Sequence, residues 1–293
     1  MKEALVASAV VVSDAERSTI HASFFSLVCA SVGLLGVGVG TLLSPGAGGA
    51  LGWTLHTLGW ILVSVAIIAH IDHLSNRLGR SAVVCGILAS VAQAVADAPF
   101  ALDPDRVLQV AWVNFYTIMW AVAALLAAAS LALVAVRKEK LMEQHIALGE
   151  TGKFAVEDYQ STVHASFLSL MSGALACLLT GIGWLMLIDG GGSSAKLAWA
   201  LLTLGSLLLA VAIIAHIEHL TMSIGRAAIW LGAAAAVLSA LGSIPGYFAA
   251  TGDNSIGGEL TWIMWGVSCV LAALALAIVA MRRRAQRSRT AAA

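Results

Sequence analysis

Val65–Leu74 reads VAIIAHIDHL, and 146 residues later Val211–Leu220 reads VAIIAHIEHL. A second pair precedes these: Ser18–Leu27 (STIHASFFSL) and Ser161–Leu170 (STVHASFLSL), 143 residues apart. The same two phrases in the same order mark a tandem duplication. Each phrase sits where an apolar run meets polar residues, and each is built around histidine. The duplication has kept His21, His70 and His73 in one half and His164, His216 and His219 in the other.

The runs that carry these phrases decide the fold class. Apolar stretches of about 20 residues are long enough to cross a bilayer as helices. Eight are present, at about 20–43, 51–74, 80–98, 108–136, 162–188, 196–220, 226–250 and 259–281. They are too long and continuous for barrel strands, so the backbone must satisfy itself as helix. Composition agrees: of 293 residues, 60% are hydrophobic and 11% charged, against about 25% charged in soluble domains. The expected fold is an all-α integral membrane protein with eight transmembrane helices in two tandem four-helix repeats. An even number of spans per repeat keeps both in one orientation, so the repeats are parallel, with a pseudo-two-fold along the membrane normal.

The corresponding segments are an N-terminal lead (1–17), repeat 1 (18–140), a charged linker (141–160), repeat 2 (161–285) and a basic tail (286–293). Other landmarks recur with the repeat: Gly79-Arg80 with Gly225-Arg226, Pro99 with Pro245, and Ile118-Met119-Trp120 with Ile263-Met264-Trp265.

Net charge is +0, but its distribution is lopsided. Fourteen of the 16 Lys and Arg residues fall on the side of the termini and even-numbered connections; only Arg106 and Lys196 fall on the other. The positive-inside rule then places both termini in the cytoplasm, in a plasma or inner membrane. Arg282, Arg283 and Arg284 read as an anchor for anionic lipid headgroups and not as a nucleic-acid patch. Cys29, Cys85, Cys177 and Cys269 show no CxxC spacing and read as small apolar residues. Trp53, Trp60, Trp112, Trp199 and Trp262 lie in the outer third of their spans, as an interfacial aromatic belt would.

The histidines carry the functional reading. His21 opens span one from the side on which His70 and His73 close span two, so antiparallel neighbours bring all three to one depth. His70 and His73, at i and i+3, share a helix face. Neutral imidazoles in such a set suit copper, iron or zinc. The six expected metal ligands are His21, His70, His73, His164, His216 and His219. Asp72 and Glu218, between the paired histidines, would orient an imidazole from the next shell out. Haem b fits less well, since it leaves one histidine of each three unexplained; Arg80 and Arg226 would then receive its propionates.

The expected function is therefore a membrane metalloprotein with duplicated histidine sites near the cytoplasmic face, redox or metal-handling. Its partners would be membrane lipids and a lipid-soluble substrate or another membrane subunit. Two alternatives use the same residues: a metal-free proton-coupled transporter or channel, and a structural membrane subunit whose histidines cap helix ends, with Ser18 and Thr19 as N-caps. His56 has no copy, Leu202 taking its place, and reads as a packing residue, as does His145 in the linker. Asp97, just before Pro99, reads as a helix-end residue, and Met119 and Met264 as core. No glycine-rich phosphate loop, nucleophile elbow or HExxH motif is present.

Overall fold

A computed structural model describes residues 22–44, 49–72, 79–103, 105–106, 109–147, 166–188, 193–218, 224–250 and 256–292. Among them the chain forms helices α1 (Phe24–Leu43), α2 (Gly49–Asp72), α3 (Arg80–Ala96), α4 (Ala98–Leu102) and α5 (Val110–Ala147). The second half gives α6 (Phe167–Leu187), α7 (Ser193–Glu218), α8 (Arg226–Ala250) and α9 (Ile256–Ala292). Short α4 continues α3 past a break at Asp97, where Pro99 can occupy the first turn of a new helix because its missing N–H needs no partner there. Eight helices are long and apolar enough to cross a membrane, with α3 and α4 counted as one span, Arg80–Leu102. Large apolar side chains such as Leu51, Leu58, Leu88 and Leu168 are exposed along these helices, as lipid contact requires.

Each span packs on its neighbours in sequence, and α9 packs back on α1, so the eight close into a ring. Lipid tails are as apolar as leucine, so burial alone does not drive helices together; close packing and interhelical hydrogen bonds must. α1 shows how the sequence provides both. Ser26, Gly33 and Gly40 recur every seven residues and face α2. Ser26 Oγ donates to the Ala66 carbonyl at 2.8 Å, and a Cβ on Gly33 would lie 2.7 Å from the Gly59 carbonyl oxygen. Ser31 and Gly38, also seven apart, face α9. Ser31 Oγ donates to the Ala273 carbonyl at 2.8 Å, and a Cβ on Gly38 would meet the Gly266 carbonyl at 2.7 Å. α6 uses the same device: Ser169 Oγ donates to the Ala212 carbonyl of α7 at 2.7 Å.

The helix starts follow suit. Ser23 and Ser166 cap α1 and α6, each accepting from the N–H three residues on at 3.0 Å. The cap of α1 is therefore Ser23; Ser18 and Thr19 lie outside the described residues. Gly79 and Gly225 precede α3 and α8 with φ of 92° and 88°, a backbone conformation that glycine adopts readily and side-chain-bearing residues rarely do.

Gly59→Ala places a methyl group within 2.6 Å of the Gly33 carbonyl and is expected to destabilise the protein by about 1–3 kcal/mol. Gly258→Ala, with nothing within 4 Å, is expected to be silent. Denaturation of the two variants in micelles measures the difference.

Candidate functional site

Two regions merit description, at opposite ends of the bundle. The first is the histidine end, formed by the starts of α1, α3, α6 and α8 and the ends of α2 and α7. His70 and His216 lie in the last turns of α2 and α7, both half-buried. Ala66 and Ala212, each four residues before its histidine, are the carbonyls that Ser26 and Ser169 hold. The start of α1 is thus tied to the last turns of α2, and the start of α6 to those of α7.

His21, His73, His164 and His219 lie outside the described residues, as do the side chains of Asp72 and Glu218. Among the described residues no group of three or more His, Cys, Asp or Glu side chains is placed to hold a metal. Arg80 and Arg226 open α3 and α8 with exposed side chains. Arg137 and Arg282 instead lie across the positive-φ glycines, Gly79 and Gly225 respectively.

An apolar recess of about 420 Å³ begins near this end, bounded by α1, α7, α8 and α9. Ile213, one turn before His216, lies at its histidine end; Leu34, Ala236 and Leu276 line its walls. Its far end reaches Ser239, whose carbonyl accepts the Trp265 indole N–H at 3.1 Å.

The second region is the far end, and sequence reading missed it. Seven of the nine tryptophans, Trp53, Trp60, Trp120, Trp184, Trp199, Trp262 and Trp265, join Phe100 and Tyr116 in one continuous ring-to-ring network. Five helices besides α4 contribute to it: α2, α5, α6, α7 and α9. Of the tryptophans expected in an interfacial belt, Trp53 is buried and Trp60, Trp199 and Trp262 are half-buried, each set against other rings. The reason is packing between helices: Trp53 is 8% exposed and meets Trp262 of α9, Tyr116 of α5 and Phe100 of α4 at centroid distances of 4.8–6.4 Å. Only Trp112 behaves as expected of the boundary, with the Arg106 guanidinium 4.6 Å above its ring.

Inside this network sits an ionisable pair. Asp97 is 0% exposed and His56 5%. His56 Nδ1 lies 3.5 Å from Asp97 Oδ1, and the Trp60 indole donates to His56 Nε2 at 3.3 Å. Trp53 meets the imidazole edge-on at 5.7 Å and Trp60 at 6.1 Å. Asp97 occupies the helix break that its position before Pro99 suggested, but its side chain caps nothing. Neither carboxylate oxygen has a hydrogen-bond partner among the described residues. His56, read in the sequence as a packing residue, is half of a buried polar pair. The available signal was an ionisable residue inside each of two neighbouring spans, a pattern that is functional by default.

Comparisons with protein-family models, curated proteins and solved structures return no match for this chain. Function has to be argued from these two regions alone.

Trp230 is 74% exposed, whereas the seven networked tryptophans face other rings. Brominated lipids quench tryptophans they touch, so Trp230→Phe is expected to remove most such quenching. Trp53→Phe should leave it largely intact.

Proposed function

We propose that the protein is a membrane metalloprotein built from two four-helix units, each with a histidine site at the same end. The observation that carries this is the doubled clamp, Ser26 on Ala66 and Ser169 on Ala212. His21 lies five residues before Ser26, just ahead of the α1 cap Ser23, and His70 lies four after Ala66, so the clamp joins the two segments that carry these histidines at one end of the bundle. His164 and His216 stand in the same relation to the second clamp. His73 and His219 complete the two sets, with Asp72 and Glu218 as orienting carboxylates. Neutral imidazoles of this kind suit copper, iron or zinc, which would supply redox or Lewis-acid chemistry when bound. Haem b is the lesser alternative, and the exposed Arg80 and Arg226 give it little support.

The two-unit arrangement is supported by the contacts between units. Gly38 of α1 packs on Gly266 of α9, and Gly181 of α6 packs on Ala121 of α5. These are the same positions, 143 and 145 residues apart, with the units exchanged. A two-fold along the membrane normal produces that exchange. The positive-charge bias puts the histidine end, both termini and the basic tail in the cytoplasm of a plasma or inner membrane, with the tail on anionic headgroups.

A lipid-soluble substrate suits the apolar recess, whose 420 Å³ is in the range of small-molecule sites and which ends one turn from His216. Oxidation or reduction of such a molecule, or transfer of the metal itself to another membrane subunit, are the two activities this site serves. A metal-free, proton-coupled transporter is a second reading, favoured by the His56–Asp97 pair within the spans.

Metal analysis of the detergent-purified full chain tests the first reading. About one transition-metal ion per unit is expected, reduced by half in His70→Ala and lost in the His70→Ala/His216→Ala double variant. A Soret band would indicate haem instead. Metal-free wild-type protein, or metal content unchanged in the double variant, overturns it.

A further inference from the structure

We propose that Asp97 and His56 form an exchangeable single-proton site, walled by the aromatic network and independent of any metal at the histidine end. Along α2, 14 residues separate His56 from His70, about 21 Å at 1.5 Å per residue, so the two sites do not share ligands.

The hydrogen bonding fixes where protons sit. Because the Trp60 indole donates to Nε2, that nitrogen carries no proton, and the neutral imidazole holds its proton on Nδ1, facing Asp97. With an ionised Asp97 the pair then has a net charge of −1. Among the described residues no other charged side chain reaches it. α1 offers none, and α4 (Ala98–Leu102) none. On α3, Arg80 and Cys85 lie toward the opposite end; on α9, Glu259 is exposed in the first turn and Cys269 lies beyond Trp265. α5 contributes Tyr116, an uncharged phenol whose ring meets those of Trp53 and Phe100. Asp103 and Arg106, beyond α4, bond to each other at 3.4 Å. An isolated charge in such surroundings costs several kcal/mol and calls for one positive charge. Trp53, Trp60 and Phe100 crowd the pair, which suits the smallest cation. The step is addition of one proton from the aqueous phase to an Asp97 carboxylate oxygen, giving the neutral acid; release is the reverse.

The second half argues that the fold has no need of the charge. At the positions matching Asp97, His56 and Trp60, offset by 146, stand Ser243, Leu202 and Ser206. Ser243 is also 0% exposed, yet it is satisfied: its hydroxyl pairs with Ser206 at 3.1 Å between α7 and α8. A neutral hydrogen bond fills the same place, so the carboxylate in the first half serves something other than packing.

Trp53 and Trp60 flank the imidazole and report on the site. In nanodiscs, intrinsic fluorescence of the full chain, followed from acid to alkaline buffer, is expected to show a one-proton transition. Asp97→Asn, which imitates the neutral acid, should abolish the transition and hold fluorescence at the acid plateau. His56→Leu/Asp97→Ser, which places the second half's uncharged residues at these two positions, should also be flat. Infrared difference spectra across the same range should show a carboxylic-acid carbonyl band that Asp97→Asn lacks. A flat wild-type curve, or a transition that survives in Asp97→Asn, overturns the proposal. So does a transition that follows sodium concentration at constant pH, which would make the ligand a metal cation. Metal content plays no part in these readouts, so failure here is distinct from failure at the histidine end.

Discussion

Backbone-to-backbone contact at α1 is the constraint on which the closed ring rests. A helix in lipid gains little from covering one apolar surface with another, so it must gain from proximity. α1 touches two partners along two seven-residue rows about 140° apart on its surface: Ser26, Gly33 and Gly40 toward α2, and Ser31 and Gly38 toward α9. Each row combines a hydroxyl that donates to a neighbour's carbonyl with glycines that let two backbones meet. The first row builds a helix hairpin; the second joins the last helix of the chain to the first. Without the second row the eight spans would be an open series, and the far-end aromatics from α2 and α9 would not meet.

Spans and their register were legible in the sequence because they depend on length and apolarity alone, and no tertiary detail changes either. Ser26 and Ser169 were visible as parts of the duplicated phrases, though not as clamps, since a serine pattern does not name its acceptor. The tryptophans show where such reading fails. Helices apolar on all sides carry no amphipathic signal, so nothing in the sequence separates the face toward lipid from the face toward the bundle. Position near a span end then suggested a belt for Trp53, Trp60, Trp199 and Trp262, but not that their rings meet one another between helices. His56 was discounted because it lacked a counterpart in the second half. That rule finds what the two units share and is blind to what one of them acquired.

The contrast between the halves is physical as well as historical. Where α4 puts Phe100 against Trp53, α8 has Gly246, and Trp199 lies directly over it. One unit fills the space with an extra ring, the other by letting the indole approach the backbone. The same contrast governs polarity: Ser206 and Ser243 satisfy each other, while His56 and Asp97 leave both carboxylate oxygens without hydrogen bonds. The two halves therefore fill matching places with side chains of different charge, and only an ionised carboxylate is electrostatically expensive there.

That expense has a mechanical consequence. In a dry, low-dielectric shell the free energy of the pair changes steeply with one proton, far more than at a wetted surface. Water must reach Asp97 for the proton to come or go, and the rings in contact around it, Trp53, Phe100 and Tyr116, stand in the way. These rings also bridge α2, α5 and, through Trp262, α9. Displacing any of them disturbs the contacts that hold the far end of the ring together. The proposed proton site and the packing of the far end therefore share the same rings.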